Sequence, residues 1–211
     1  MNSILNAMQF FPSMVYTSKR PDLLDISREV SSEYIQKISE NKDLNEIYPS
    51  YQSPEMKYDK RMEELVSFIS LSSWQILQDQ GHAMSKFDTF CLSMWCQEHH
   101  KHSMMEQHIH SGPQIVGFYF IDVPQNSSRL VLHDPRAGKM QINIMEENKT
   151  RSTNASHHMM FTPSEGDIVF TNSWLPHSFT RNSSENPIKF LHFNIGVKRR
   201  IFHDAPTAIV I

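Results

Sequence analysis

The chain has 211 residues and a formal net charge of −3, and 39% of its residues are hydrophobic. A slightly acidic chain is not expected to bind nucleic acid by general charge attraction. No apolar run approaches the roughly 18 residues that a membrane span needs, so no membrane partner is expected. The length suits a single domain, 1–211, that buries about 70% of its unfolded surface.

Two residue types add to this picture. Cys91 and Cys96 are the only cysteines. Two cysteines form no disulfide framework and favour a reducing, cytoplasmic location. The twelve histidines are the unusual feature of the composition. Five of them fall within twelve residues: His99, His100, His102, His108 and His110.

The first part of the chain, about 20–81, is predicted to be helical. Apolar residues recur at helical spacing over 21–40 and again over 57–80, and Gly81 is suited to end the second helix. The polar stretch 41–54 contains two prolines and predicts a connection. Both helices are expected to pack against a sheet.

The second part, about 88–198, is predicted to be a β roll. Short runs rich in β-branched and aromatic residues alternate with turns at intervals of about ten residues, which is typical of a sandwich or barrel. Two helices followed by such a roll predict an α+β fold. The expected strands are 89–96, 104–110, 115–123, 129–133, 140–145, 158–161, 167–171, 176–181 and 187–197. Residues 98–103 and 146–156 are expected to be polar loops.

Three histidines have the spacing of a metal site. His108 and His110 would share one face of an extended segment, because alternate side chains of a strand point the same way. His177 follows a tight corner, 67 residues after His110. Two ligands from one strand end and a third from a strand folded back beside it are typical of facial Fe(II) sites.

Several stretches resemble the family of 2-oxoglutarate/Fe(II)-dependent oxygenases, within the jelly-roll non-haem iron dioxygenases. The resemblance spans about 10–197 and rests on FFPSMVY, Trp95, HIHSGPQIVGFYFIDVP, SSRLVLHDPR, EGDIVFTNSWLPHSFTRN and KFLHFN. It implies a double-stranded β-helix (jelly roll) with helices packed outside. It also implies an enzyme that uses Fe(II), 2-oxoglutarate and O₂ to hydroxylate a substrate, with release of succinate and CO₂.

The chain departs from the wider family at its first motif. The usual motif is His-x-Asp or His-x-Glu, whereas the second position here is His110. Three ligand sets are open: His108 and His110 with His177; two histidines with Asp134 from the neighbouring strand; or one histidine of the pair with Gln114 or water in the vacant place.

The resemblance further implies a basic residue for the distal carboxylate of 2-oxoglutarate, on a strand about ten residues after the last histidine. Such a group forms charge-assisted hydrogen bonds with the diacid. Lys189, twelve residues after His177, is the best match, and its face is expected to point inward. Other candidates for this pocket are Arg181, Arg136, Tyr119 and Asn194.

Two other functions fit the same residues. His-x-His-x₃-Gln also resembles the metal motif of cupins, which predicts a metal enzyme that does not use 2-oxoglutarate. The missing carboxylate at position 110 instead suits a non-catalytic β-roll binding module. The sequence specifies neither the substrate, a small molecule or a peptide, nor the oligomeric state.

Overall fold

Ten strands and two helices make up the regular structure of the residues that the computed structural model describes, which are 6, 8, 10–142 and 144–200. The helices are α1 (Leu24–Ser39) and α2 (Glu63–Asp79). The strands are β1 (Val15–Lys19), β2 (Ser50–Gln52), β3 (Phe87–His99), β4 (Met105–His108), β5 (Ile115–Asp122), β6 (Leu130–His133), β7 (His158–Phe161), β8 (Asp167–Asn172), β9 (His177–Phe179) and β10 (Ile188–Arg199).

The strands form two antiparallel sheets. The larger has the order β1-β8-β5-β10-β3-β2 and the smaller β4-β9-β6-β7. Apolar side chains from both sheets meet in one buried cluster, which we call the roll interior: Phe118, Phe120, Leu130, Leu132, Val169, Leu175, Phe179, Ile188 and Phe190. Two facing sheets joined in this way are a double-stranded β-helix, so the predicted α+β jelly roll is confirmed.

The two helices cover the outer face of the larger sheet. Val30 of α1 and Ile69 of α2 are fully buried in a second cluster, with Leu191 and Phe193 of β10. The helices therefore lie on the opposite side of the sheet from the roll interior, as predicted. Helix α2 begins six residues later than predicted, because the Asp59 carboxylate accepts from the Arg61 amide and caps a short 3₁₀ turn before it.

Some strands differ from the prediction. Strands β1 and β2 lie outside all the predicted strands. They pair with β8 and β3 at the two edges of the larger sheet. With five residues in β1 and three in β2, both strands are too short to show a clear alternation of apolar and polar residues. The predicted strand 140–145 is wrong over its described residues: Ala137–Gln141 is a 3₁₀ helix, and residues 142, 144 and 145 belong to no strand, while residue 143 lies outside the described residues.

The two faces of β10 are assigned by packing. Ile188 and Phe190 belong to the roll interior, whereas Leu191 and Phe193 pack with the helices. The expected inward face of β10 is therefore wrong by one residue. A shift of one residue exchanges every side chain of a strand between the two faces.

None of the described helices is long and apolar enough to cross a membrane. The last residues of the predicted domain, 201–211, lie outside the described residues.

Candidate metal centre

Four histidines from both sheets converge at one end of the roll interior. They are His108 at the end of β4, His110 two residues later, His177 at the start of β9 and His192 in β10. One ring nitrogen from each lies within 4.8 Å of the others. Nitrogens on opposite sides of an ion bound at about 2.1 Å are about 4.2 Å apart, so small side-chain movements would bring all four into bonding range.

Strand pairing places the first three histidines together. His108 and His177 are direct partners across β4 and β9, with ring centroids 4.5 Å apart. His110 follows the end of β4, and its amide donates to the Ser173 carbonyl at 3.0 Å. That hydrogen bond turns His110 back toward its neighbours, 5.1 Å from His108 and 5.2 Å from His177 between ring centroids.

Backbone carbonyls orient two of these rings. The Nδ1 atom of His177 lies 3.0 Å from the Leu175 carbonyl, and that of His108 lies 2.8 Å from the Glu106 carbonyl. A ring that donates from Nδ1 presents a lone pair at Nε2, and metal-binding histidines are commonly fixed in this way. The Nε2 atoms of His177 and His110 are buried without a hydrogen-bond partner. These residues fit a divalent metal ion.

Burial favours the neutral form of three of the four histidines. Loss of water lowers the pKa of His177 to about 4, and it lowers that of His192 well below the ordinary value. The pKa of His110 is lowered by burial and then by His108, while the Asn194 side chain opposes the change. Neutral imidazole is the form that binds metal.

Asp134, the alternative carboxylate ligand, is engaged elsewhere. It accepts from Arg136 at 2.7 Å and lies 3.0 Å from the Lys139 ammonium. The Arg136 hydrogen bond is the main cause that holds the pKa of Asp134 far below its usual range. The group of four histidines does not include Asp134, and the Gln114 amide donates to the Gly112 carbonyl at 3.4 Å. This geometry favours the all-histidine ligand set.

Lys189, the expected diacid anchor, does not reach the histidines. Its ammonium lies 3.1 Å from Glu98 and 3.7 Å from Asp122. Asp122 in turn accepts from Arg28 of α1 at 2.8 Å, so this charge cluster lies on the helix side of the sheet. Burial alone would lower the pKa of Lys189, but the charges of Glu98 and Asp122 outweigh burial and raise it. The expectation that Lys189 points inward is corrected.

The other residues that were predicted to line the 2-oxoglutarate pocket lie apart from one another. Arg181 is exposed, and the Arg136 guanidinium is bound to Asp134. Tyr119 packs with the helices and donates its hydroxyl to the Arg20 carbonyl at 2.7 Å. Asn194 alone lies beside the centre, with its amide donating to Ser93 Oγ at 2.9 Å.

Two buried histidines were missed. His192 was missed because β10 is apolar on both faces, so alternation did not decide which residues point inward. His99 was predicted in an exposed loop, but β3 continues to it and the side chain is 2% exposed. It packs against Phe179 and Phe190. Each histidine stands two residues from another inward-facing residue of its strand, Phe190 for His192 and Gln97 for His99, but only the structure shows that those residues face inward.

Comparisons with known proteins agree with this fold. Residues 93–194 match a family model described as "Putative 2OG-Fe(II) oxygenase". Two solved structures of similar fold are a Pseudomonas putida prolyl-4-hydroxylase and AviO1 from Streptomyces viridochromogenes Tue57. The first is 11% identical with a TM-score of 0.55, over 89% of this chain and 94% of that one. The second is 10% identical with a TM-score of 0.61, over 92% of each chain.

A third similar structure was solved with ligands. It is HygX from Streptomyces hygroscopicus, with nickel, 2-oxoglutarate and hygromycin B bound. It is 10% identical with a TM-score of 0.52, over 87% of this chain and 83% of that one. No curated protein matches the chain in sequence.

Proposed function

We infer, from the match of residues 93–194 to a 2OG-Fe(II) oxygenase family model, that the chain is an Fe(II)- and 2-oxoglutarate-dependent oxygenase. In this class the bound iron brings a 2-oxo acid and O₂ together for oxidation of a C–H bond. The observation that carries the assignment is the convergence of His108, His110 and His177 at the mouth of a jelly roll. We assign the activity to the whole chain as one domain.

We propose that these three histidines hold the iron. Imidazole suits Fe(II), and three neutral ligands leave the ion with its full 2+ charge. The carbonyls of Leu175 and Glu106 would keep the rings of His177 and His108 in the ligating orientation. Phe118 lies edge-on to His177 at 5.4 Å, and with its aromatic neighbours it keeps water away from the inner side of the centre.

The cosubstrate pocket is less well matched than the metal site. Among the described residues, β10 presents only Ile188, Phe190, His192 and Asn194 on its inward face up to the bulge at 194, and none carries a fixed positive charge. Lys189 and Tyr119, which were expected there, have partners on the helix side. Lys189 and Tyr119 therefore do not fit the distal carboxylate of 2-oxoglutarate, Arg136 is already paired with Asp134, and Arg181 is exposed. This observation supports a second candidate, a cupin-type metal enzyme that does not use 2-oxoglutarate.

A cavity near His177, which none of the four histidines lines, is the proposed substrate site. Its volume is about 450 Å³, within the range of small-molecule sites. It is lined by Leu132, the strand partner of His177, and by Leu175, and also by Arg136, Lys139 and His158. Asp134 also lines the cavity and pairs with Arg136 and Lys139, so these side chains suit a small molecule or a peptide with polar groups. We place the protein in the cytoplasm, which the free thiols of Cys91 and Cys96 support.

Succinate formation tests the proposal. The iron-loaded protein is expected to convert 2-oxoglutarate to succinate, slowly without its substrate, and His177→Ala is expected to lower the rate at least about 100-fold. A His82→Ala variant is the control, because His82 is exposed in the turn after α2 and lines neither the cavity nor the group of four histidines. Turnover at the wild-type rate in His177→Ala would contradict the assignment.

Calorimetry separates the two candidates. Binding of 2-oxoglutarate to protein loaded with Co²⁺, a substitute for iron, supports the oxygenase. A metal-loaded protein that gives no binding signal with 2-oxoglutarate favours the cupin-type enzyme.

A further inference from the structure

We propose that His192 is a fourth metal ligand, so that the ion is held by four imidazoles, from His108, His110, His177 and His192. The inference rests on the proposed metal site, but it does not depend on the use of 2-oxoglutarate. It adds to the expected three-residue site a ligand from β10, a strand of the larger sheet.

The first argument is the position of His192. It pairs with Trp95 of β3 on one side and Phe118 of β5 on the other, in the middle of the larger sheet. Its side chain is 1% exposed. It lies on the same face of β10 as Phe190, two residues earlier, and Phe190 belongs to the roll interior. The ring centroid lies 4.9 Å from that of His110 and 6.3 Å from that of His177. The side chain is therefore aimed at the other three histidines.

The second argument is the lack of partners. Both ring nitrogens of His192 are buried without a hydrogen bond among the described residues. A buried polar atom without a partner is costly and rare in folded proteins. An ion between the four rings would bond one of these nitrogens, and each of the other three histidines places a ring nitrogen within 4.8 Å of it.

His99 shows what a purely structural histidine looks like in the same interior. It is 2% exposed and packs between aromatic rings, as His192 does. Its Nε2 atom, however, is 2.7 Å from the Gln97 amide oxygen, and it does not belong to the group of four. One nitrogen of His99 therefore has a partner and only its Nδ1 atom is buried without one, whereas His192 has no partner at either nitrogen.

A fourth imidazole changes what the ion can accept. Four protein ligands leave two positions on a six-coordinate ion, one fewer than a three-residue facial site leaves. All four ligands are neutral, so the ion keeps a net charge of 2+ and attracts anionic external ligands. Imidazole ligands also suit zinc, copper and nickel as well as iron.

Metal titration of matched variants tests the proposal. Co²⁺ is added to metal-free wild type, His192→Leu and His99→Leu, and its visible absorption reports the number and geometry of its ligands. We expect His192→Leu to bind Co²⁺ about tenfold or more weakly with an altered spectrum, and His99→Leu to match the wild type. Wild-type affinity and spectrum in His192→Leu would overturn the proposal.

A measurement on the wild-type protein covers the case in which the variant does not fold. Pulsed EPR of the Cu²⁺-loaded protein counts the bound imidazoles, and four are expected; three or fewer would overturn the proposal. Succinate formation is measured on the same protein preparation, loaded with Fe(II) instead of Cu²⁺. Succinate formation by a protein with three bound imidazoles would contradict the fourth ligand and support the proposed function. Four bound imidazoles without any succinate formation would support the fourth ligand and contradict the proposed function.

Discussion

Asp134 shows how a residue's partners decide its role. Its carboxylate is bound by Arg136 and Lys139, so using it as a metal ligand would require both contacts to break. We expect Asp134→Asn to leave the Co²⁺ affinity unchanged and to lower the free energy of unfolding by about 1 kcal/mol. Titration with Co²⁺ and urea denaturation measure the two effects. Loss of metal binding would restore Asp134 as a ligand.

The same residue predicts a dependence of stability on pH. Its pKa is lower in the folded protein than in the unfolded chain, so folding favours the ionised form. The stabilisation is complete above the unfolded pKa of about 3.9 and is lost as the pH falls through the folded value. We expect wild type and Asp134→Asn to differ by a constant free energy of unfolding between pH 7 and 5, and to converge below about pH 4. Urea denaturation at several pH values measures this, and a constant difference down to pH 2 would contradict it.

At the level of elements, the close approach of β5 and β10 depends on Gly117. A Cβ at this position would lie 2.2 Å from the Phe193 ring and 2.5 Å from the Val169 carbonyl oxygen. We expect Gly117→Ala to lower the free energy of unfolding by about 2 kcal/mol, because the carbonyl belongs to the backbone and cannot turn away. Gly138→Ala is the control, since no atom lies within 4 Å of its Cβ position. Equal free energies of unfolding of the two variants in urea would contradict the prediction and show that β5 shifts to make room for the added methyl group.

The orientation of β10 gives a second prediction at this scale. Lys189 compensates Glu98, which is only 7% exposed, on the helix side of the sheet. Lys189→Met is expected to lower the free energy of unfolding by about 2 kcal/mol, because it leaves the Glu98 carboxylate without its lysine partner. Urea denaturation measures the loss.

Binding of 2-oxoglutarate by the same variant tests whether the Lys189 side chain lies outside the cosubstrate pocket. We expect Lys189→Met to keep whatever 2-oxoglutarate affinity the metal-loaded wild type has. Lys189→Arg, which retains the charge, serves as the matched control. A selective loss of 2-oxoglutarate binding in Lys189→Met would place the ammonium in the pocket.

For the whole molecule, the proposed metal centre would join the two sheets. Its candidate ligands come from β4 and the residues just after it, from β9 of the smaller sheet and from β10 of the larger one. An ion that binds only the folded protein stabilises it by about 2.7 kcal/mol at 100 times its dissociation constant. For a chain of this size, removal of the ion by a chelator should lower Tm by about 5–10 °C. Calorimetry measures the change, and His177→Ala should show little response to the chelator.

Much of the architecture followed from local sequence. Alternation and turn residues predicted most strands of the roll, and helical spacing predicted both helices, because each pattern reflects burial on one side of an element. The His108–His110 pair and the distant His177 were also recognisable, since their spacing along the chain is itself the signal. The short strands β1 and β2 were not, because they are stabilised mainly by their sheet neighbours.

The sequence by itself determined the fold class, the family resemblance and three of the four clustered histidines. Only the tertiary structure decided which face of β10 points inward, because Ile188–Asn194 is apolar or large on both faces and a shift of one residue reverses them all. That choice moved Lys189 to the helix side and brought His192 to the centre. Local sequence patterns identify apolar side chains that are buried, but the residues that they contact on other strands determine where each one lies.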